Sequence, residues 1–263
     1  MQRTALIIGA TGLVGNSLLT QLGSLYQKVI IIARSQPKGL SDSMHFYQLK
    51  DFNQMHEFVS ALSIGKDTDA FSCLGTTIKE AGSEAAFRQI DFTFNVEFAK
   101  ACKQKGVERF FLLSAMGANA DSRFFYNRVK GELETAIDNL GFQELAIFRP
   151  SLLLGKHDDR KLETIAQTAY KLIKPIVPKK LPVRPIEADR VAMAMALVSN
   201  NWHIKHTYEK SANRVDTAKK TQVISNGEML ARGLETNLPK KIDLRNDDER
   251  HDVTKFYYLR FIR

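Results

Sequence analysis

Residues 5–15 read Ala-Leu-Ile-Ile-Gly-Ala-Thr-Gly-Leu-Val-Gly, and this stretch indicates the fold class. A short apolar run closed by Gly9 predicts a buried strand, and apolar residues recur at helical spacing over residues 13–25. Gly9, Gly12 and Gly15 lie between them, where backbone N–H groups at a helix N-terminus can bind a phosphate. The spacing differs from the standard Gly-x-Gly-x-x-Gly, so its position between strand and helix carries the prediction of a phosphate-binding turn.

The first 150 residues alternate between strand-like and helix-like patterns. Apolar runs predict strands at 5–8, 29–33, 46–49, 70–74, 109–113 and 145–148, and helical spacing predicts helices at 13–25, 53–62, 85–105 and 124–140. In the helix over 85–105 the predicted inward stripe is Phe87, Ile90, Phe94, Phe98 and Cys102. Regular alternation predicts an α/β fold with a doubly wound, mostly parallel sheet of the Rossmann type.

The alternation becomes less regular after residue 150. We expect helices at 162–173, 187–199 and 227–231 and a late strand at 222–225. Residues 1–233 are therefore predicted to form a single dinucleotide-binding domain, with substrate-side segments mainly in 151–190. Residues 234–263 are charged and weakly periodic, which predicts a tail or arm.

Composition excludes several classes of protein. The chain has 263 residues, of which 44% are hydrophobic, and a formal net charge of +9. Cys73 and Cys102 are too few for a disulfide framework and lack metal-ligand spacing, so no metal site is predicted. No apolar run reaches the roughly 18–20 residues that span a bilayer, and no nucleic-acid partner is expected. Without a recognisable secretion signal, the expected location is the cytoplasm.

A basic stretch lies within residues 164–186, which contain five lysines and arginines and no acid. One interpretation is a solvated basic face, and the other is a cleft rim that attracts an anionic substrate.

Arg34 and Ser35 follow the second predicted strand, and they bear on the choice of dinucleotide. An NAD site usually has an acidic residue here, which accepts hydrogen bonds from the ribose hydroxyls. A guanidinium and a hydroxyl can instead bind the 2′-phosphate of NADP(H). The sequence therefore predicts NADP(H) in preference to NAD(H), the alternative being a surface arginine at a strand end.

Ser114, Tyr126 and Lys130 are the candidate catalytic residues. Tyr126 and Lys130 are four residues apart, which places both side chains on one helix face. A nearby ammonium lowers the pKa of a phenol, so Tyr126 is predicted to exchange a proton with an alcohol or carbonyl. Ser114 ends the fifth predicted strand, at the sheet edge where ligands bind, and is predicted to hydrogen-bond the same substrate oxygen.

These motifs together resemble the atypical short-chain dehydrogenase/reductases. Four runs resemble more narrowly the Tat-interacting-protein-like oxidoreductase family: Cys-Leu-Gly-Thr-Thr-Ile-Lys-Glu-Ala-Gly at 73–82, Phe-Leu-Leu-Ser-Ala-Met-Gly at 111–117, Val-Lys-Gly-Glu-Leu-Glu at 129–134 and Phe-Arg-Pro-Ser-Leu-Leu-Leu at 148–154. The resemblance covers residues 1 to about 200 and implies NADP(H) bound across a Rossmann fold.

The resemblance also implies roles for individual residues. Tyr126 would be the acid/base, Lys130 would lower its pKa and hold the nicotinamide ribose, and Ser114 would orient the carbonyl. The implied cofactor-binding residues are Gly9, Thr11, Gly12, Leu13, Val14, Gly15, Arg34, Ser35, Asp51, Phe52, Cys73, Leu74, Gly75, Thr76, Tyr126, Lys130, Pro150, Ser151 and Leu152. The family's structural asparagine has no assigned counterpart, because Asn95 fits the expected position poorly.

Two functions are consistent with these residues. One is an NADP(H)-dependent oxidoreductase acting on a small carbonyl or alcohol substrate, either neutral or anionic. The other is an NADP(H)-binding regulatory or redox-sensing protein with little or no turnover. An intact set of Ser114, Tyr126 and Lys130 favours the enzyme.

Overall fold

A computed structural model describes residues 3–155, 184–211 and 218–232. The strands are β1 (Thr4–Ile8), β2 (Lys28–Ala33), β3 (Met44–Gln48), β4 (Thr68–Ser72), β5 (Arg109–Leu113), β6 (Glu144–Arg149), β7 (Leu153–Leu154), β8 (Ile186–Glu187) and β9 (Lys220–Ser225). The helices are α1 (Leu13–Leu25), α2 (Met55–Ser60), α3 (Ile78–Ala81), α4 (Glu84–Arg88), α5 (Phe94–Gln104), α6 (Phe125–Asp138), α7 (Ala188–Ser211) and α8 (Asn226–Arg232). A 3₁₀-helix (Phe52–Gln54) precedes α2, and a π-helix (Gln89–Thr93) joins α4 to α5.

Seven strands form one parallel sheet in the order β3-β2-β1-β4-β5-β6-β9, and β7 pairs with β8 in a small separate ladder. Strand order reverses between β1 and β4, which is the topological switch point at which ligands bind in such sheets. The prediction of a doubly wound parallel sheet is confirmed. The late strand is present as β9, which pairs with β6.

Apolar cores cover both faces of the sheet. Ala5 and Ile7 of β1 pack in one core with α1 and α7, whereas Leu6 and Ile8 pack in the other with α2, α5 and α6. Successive strand side chains point to opposite faces, so a strand covered on both sides must be apolar throughout. Val29–Ala33 of β2 is fully buried for this reason.

Helix 85–105 departs from its prediction. The run divides into α4, the π-helix and α5, and its buried side chains include Phe87, Asp91, Asn95, Phe98 and Cys102. Ile90 and Phe94, predicted to face inward, are only partly buried. A π-turn contains more residues than an α-turn, and it therefore changes which positions face the sheet.

Several predictions fall on residues outside the described ranges. They are the helix at 162–173, most of the basic stretch 164–186, the central part of the substrate-side segment and the tail 234–263. Within the described ranges, no helix combines the length and hydropathy needed to cross a bilayer.

A buried ionic network lies at the sheet edge where the strands begin. This amino-edge cluster consists of Arg3, Tyr26, Asp69 and Arg109. The Asp69 carboxylate accepts hydrogen bonds from Arg3 Nη2 at 3.0 Å, from the Tyr26 hydroxyl and from Arg109 Nε. Arg3 Nη2 also donates to the Ser199 carbonyl at 2.7 Å, which ties α7 to the sheet.

Glu144 lies beside this cluster, and burial raises the pKa of its carboxyl to about 7 although Arg109 opposes the shift. A carboxyl whose pKa is higher in the folded state stabilises the fold below its unfolded pKa of 4.5, and the stabilisation is lost as the pH rises through about 7.

We therefore expect Glu144→Gln to lose less stability than the wild type between pH 5 and pH 8. Urea unfolding at both pH values measures this difference. Glu108→Gln is the matched control, and an unchanged pH dependence in Glu144→Gln would contradict the expectation.

Candidate active site

The glycine turn between β1 and α1 leaves no room for side chains at two positions. Gly9 has a φ of +76°, and a Cβ there would lie 2.3 Å from the Cys73 carbonyl carbon. A Cβ on Gly15 would lie 2.2 Å from the Gly9 carbonyl oxygen. Glycine is therefore required where β1, β4 and α1 meet, because any other residue would push their backbones apart.

The start of α1 fits an anionic ligand. Gly12 is its N-cap and has no side chain, so the cap residue accepts no hydrogen bond from the first-turn N–H groups. Thr11 and Gly12 are exposed, Leu13 is half-buried, and Val14 is buried and anchors the helix in the core. Exposed amides at a helix N-terminus attract phosphate, and the turn therefore fits the pyrophosphate of a dinucleotide.

The residues predicted to hold the adenosine end follow β2 and β3. Arg34 and Ser35 are exposed just beyond β2. Asp51 is exposed and accepts from the Asn53 backbone N–H at 2.9 Å. Phe52 is buried and packs edge-on against Phe94 in the core, so most of its ring serves packing.

Two further predicted cofactor segments lie at the same sheet edge. Residues 73–76 follow β4, and the Cys73 N–H donates to the Ile8 carbonyl at 3.0 Å. Burial raises the pKa of the Cys73 thiol to about 12, so this group is not a reactive thiolate. Residues 150–152 follow β6, where the Pro150 carbonyl accepts from the Met116 N–H at 2.8 Å and Leu152 pairs with Ile186.

Tyr126 lies in the first turn of α6. Its ring packs against the buried Phe87, with the centroids 5.5 Å apart. A Cβ on Gly131 would lie 2.1 Å from the Ala120 N–H nitrogen, so glycine allows the preceding loop to pass directly against α6. The Tyr126 ring thus packs on Phe87 and remains partly exposed.

Lys130 is paired with a carboxylate that was not among the residues predicted from sequence. Its Nζ lies 2.6 Å from Asp91 Oδ1, and both side chains are buried. The Thr76 N–H donates to the other Asp91 oxygen at 2.8 Å. Burial works to lower the pKa of Lys130, but the pKa is raised overall, chiefly by the Asp91 carboxylate, so the ammonium is retained.

The expectation that Lys130 gives Tyr126 a low pKa is wrong for this structure. Burial raises the pKa of Tyr126 above its ordinary value, Lys130 only partly opposes the rise, and Asp91 adds to it. Although the Tyr126 side chain is partly exposed, loss of hydration disfavours its phenolate, and one neighbouring ammonium shared with a carboxylate does not compensate. Tyr126 is therefore a neutral phenol at neutral pH.

The Ser114 hydroxyl also has a protein partner. Ser114 Oγ donates to Glu134 Oε1, and Glu134 is held in turn by Arg149, whose Nε lies 3.0 Å from the same oxygen. Tyr126, Lys130 and Glu134 follow one another at four-residue intervals on α6, so they share a face of the helix. In this structure the serine proton points to Glu134, and the serine oxygen keeps its lone pairs for another donor.

Asn95, for which the sequence supported no role, is buried just after the π-helix. Its Oδ1 accepts from the Ser72 hydroxyl, and its Nδ2 donates to the carbonyls of Ile90, Asp91 and Leu74 at 3.0, 3.2 and 3.3 Å. The asparagine thus joins the end of β4 to the π-helix that presents Asp91. Asp91 and Asn95 are two polar residues four apart inside an apolar helix. This spacing is the sequence signal by which both could have been identified.

Comparison with known proteins gives consistent matches. Residues 5–161 match the model of the NAD dependent epimerase/dehydratase family. Protein FMP52-2, mitochondrial, from Scheffersomyces stipitis is 40% identical over 160 residues, covering 60% of this chain and 69% of that protein. Protein HTATIP2 from Rattus norvegicus is 33% identical over 173 residues, covering 64% of this chain and 70% of that protein.

Solved structures share the fold at low sequence identity. The enzyme WbmH from Bordetella bronchiseptica, solved with NAD⁺, has a TM-score of 0.58 at 11% identity and covers 85% of each chain. A short chain dehydrogenase family protein from Francisella tularensis has a TM-score of 0.58 at 12% identity and covers 88% of this chain and 100% of its own. The predicted resemblance to short-chain dehydrogenase/reductases is confirmed.

The expectation of a cytoplasmic location is wrong. The FMP52 proteins of Scheffersomyces stipitis, Candida albicans and Debaryomyces hansenii are all named mitochondrial, and they point to the mitochondrion instead. The lack of a recognisable secretion signal, on which the expectation rested, does not distinguish these two compartments.

Proposed function

Because the chain belongs to the NAD dependent epimerase/dehydratase family and has its NAD(P)-binding fold, we propose that it is an NADP(H)-dependent oxidoreductase of a small carbonyl or alcohol compound. The observation that supports the proposal is that Ser114, which follows β5 at the sheet edge that holds the glycine turn, donates to Glu134 on α6, and that Tyr126 and Lys130 precede Glu134 at four-residue intervals on this helix. The names of the relatives support a mitochondrial site of action.

The residues of the site have distinct proposed roles. When bound, a nicotinamide dinucleotide supplies or accepts the hydride at the substrate carbon. For carbonyl reduction, the Tyr126 O–H bond breaks and its proton passes to the carbonyl oxygen, which leaves a phenolate beside the Lys130 ammonium. Solvent then returns the proton to Tyr126. Ser114 would contact the same substrate oxygen, and the first-turn amides of α1 would hold the pyrophosphate.

Turnover and binding are tested together. The full chain is titrated with NADPH and then assayed for NADPH oxidation against a panel of aldehydes and ketones. Tight binding, with measurable NADPH oxidation in the presence of at least one carbonyl compound, is the expected result. Absence of NADPH binding would overturn the proposal outright.

The second candidate is an NADP(H)-binding regulatory protein, and one observation favours it. The Ser114 hydroxyl donates to Glu134, so it is not free to donate to a substrate in this conformation. Tight NADPH binding with no turnover across the panel would support this candidate over the enzyme.

We expect NADPH to bind at least about tenfold more tightly than NADH, because Arg34 and Ser35 stand where an acidic residue would select NAD(H). Arg34→Asp should reverse the order, since a carboxylate repels the 2′-phosphate and accepts from ribose hydroxyls. Calorimetric titration of both proteins with both cofactors measures the effect. Lys38→Asp makes the same charge change at an exposed position nearby, and equal affinities in the wild type would contradict the expectation.

A further inference from the structure

We infer that Asn226 is a positioning residue, which holds residues 151–155 across the carboxyl edge of the sheet as one wall of the nicotinamide end of the cofactor site. The inference rests on the proposed function, which places a dinucleotide at this edge. Residues 151–155 are called the strap below. Asn226 lies at the start of α8, outside the segments that the sequence predicted to contact cofactor or substrate.

The first step is the path of the strap. It begins next to the loop that follows β5, where the Pro150 carbonyl accepts from the Met116 N–H at 2.8 Å. It ends at the start of α1, because a Cβ on Gly155 would lie 2.6 Å from Leu13 Cδ2. Leu153 packs in the core that contains α1 and α7, whereas α6 packs in the core on the opposite face of the sheet. The strap and α6 therefore border the carboxyl edge from opposite sides.

The second step is which half of a dinucleotide would meet the strap. A pyrophosphate on the first turn of α1 would lie beyond the end of β1, at the switch point between β1 and β4. Arg34 and Ser35 follow β2 on one side of β1, so the adenosine half would extend toward them. The nicotinamide half would then extend the other way, past the ends of β4 and β5. The strap lies on that side, between the end of β6 and the start of α1.

The third step is how Asn226 holds the strap. Its Oδ1 accepts from the Ser151 N–H at 2.9 Å, and its Nδ2 donates to the Arg184 carbonyl at 3.0 Å. The Ser151 hydroxyl donates to the same carbonyl at 2.6 Å, and the Ile186 N–H donates to the Leu152 carbonyl at 2.9 Å. An amide side chain offers an acceptor and a donor side by side, so asparagine satisfies both of its backbone partners.

The fourth step is how Asn226 is itself held. It directly follows β9, whose last residue, Ser225, pairs with Arg149 of β6. The Ser225 N–H and hydroxyl each donate to Glu228 Oε2 at 2.7 Å, and the Glu228 N–H donates to the Ser225 hydroxyl oxygen at 3.3 Å. These reciprocal bonds fix the first turn of α8 to the end of the sheet. Asn226 therefore connects the strap, which contains the two-residue strand β7, to the seven-stranded sheet.

The experiment compares the whole cofactor with its adenosine half in the full chain. Calorimetric titration measures the affinity of the wild type and of Asn226→Ala for NADPH and for 2′,5′-ADP, which lacks the nicotinamide half. We expect Asn226→Ala to bind NADPH about tenfold less tightly or worse, because the Ser151 N–H loses its acceptor and the strap its anchor. The affinity for 2′,5′-ADP should stay within about twofold of the wild type, since that ligand lies away from the strap.

Two results would overturn the inference. One is an unchanged NADPH affinity in Asn226→Ala. The other is an equal loss of affinity for both ligands, which would indicate general destabilisation rather than a displaced wall at one end of the site. Gln143→Ala is the matched control, because Gln143 is also partly buried and its side-chain amide donates to the Ala218 carbonyl at 3.1 Å, near the starts of β6 and β9. This variant should change neither affinity.

Asn226→Asp covers the case in which Asn226→Ala does not fold. Aspartate keeps an acceptor for the Ser151 N–H but has no donor for the Arg184 carbonyl. A selective loss of NADPH affinity of about threefold or more supports the inference, whereas unchanged affinities or equal losses for both ligands contradict it.

The proposed function and this inference can fail separately. A wild type that binds NADPH without turnover, and whose Asn226→Ala variant shows the selective loss, would remove the enzyme and keep the inference. A wild type that turns over a carbonyl compound, with an Asn226→Ala variant of unchanged NADPH affinity, would remove the inference alone. A wild type that binds no NADPH would remove both.

Discussion

Replacing Tyr126 with phenylalanine is expected to lower turnover by about 10²–10⁴-fold while leaving NADPH affinity nearly unchanged. The variant loses the hydroxyl that donates the proton but keeps the ring that packs against Phe87. Steady-state oxidation of NADPH, with the best carbonyl compound of the panel, measures the first effect. Calorimetric titration with NADPH measures the second.

Tyr47→Phe is the matched control for this variant. Tyr47 lies on the edge strand β3 and is exposed, and it loses the same hydroxyl far from α6 in the fold. Its turnover should equal that of the wild type. Wild-type turnover in Tyr126→Phe would show instead that the substrate proton comes from a different group.

Asp69→Asn is expected to lower the free energy of unfolding by about 3–5 kcal/mol. The change leaves Arg3 and Arg109 buried at the amino edge of the sheet without the carboxylate that both contact. Uncompensated charge in a buried site is costly, because water no longer solvates it. Urea unfolding at neutral pH, followed by circular dichroism, measures the loss.

Asp67→Asn provides the comparison for this stability measurement. Asp67 lies two residues earlier, is exposed, and should change the free energy of unfolding by less than about 0.5 kcal/mol. A loss below about 1 kcal/mol in Asp69→Asn would mean that the amino-edge cluster contributes little, as buried ion pairs sometimes do.

Much of the fold could be predicted because its signals are local. Val29–Ala33 is apolar at every position, which is typical of a strand covered on both faces, and Gly9 and Gly15 occupy positions where the backbone is too crowded for a Cβ. Parallel strands bring their carboxyl ends to one edge, so the predicted proximity of residues following β1, β2, β4 and β5 depended only on the sheet being parallel.

The rest depended on contacts that no local pattern contains. Asp91 and Asn95 were missed because a helix of constant α-period places Ile90 and Phe94 inward, and the π-helix changes that phase. Asp69 and Arg109 lie 40 residues apart in sequence and meet only because β4 pairs with β5. The pKa of Tyr126 was predicted to fall but is raised, since its burial and the position of Asp91 were both unknown from the sequence.

Helix α1 begins after Gly12 without a side-chain cap. A cofactor that binds at this helix start would affect the amount of folded protein in a cell. A dinucleotide that binds the first-turn amides binds only the folded chain, so mass action couples its concentration to stability. At a free concentration 100 times its Kd, the gain is about 2.7 kcal/mol. Shifts of this size change the cellular abundance of marginally stable proteins several-fold. The supply of cofactor would thus regulate the amount of this protein, whether or not the protein turns anything over.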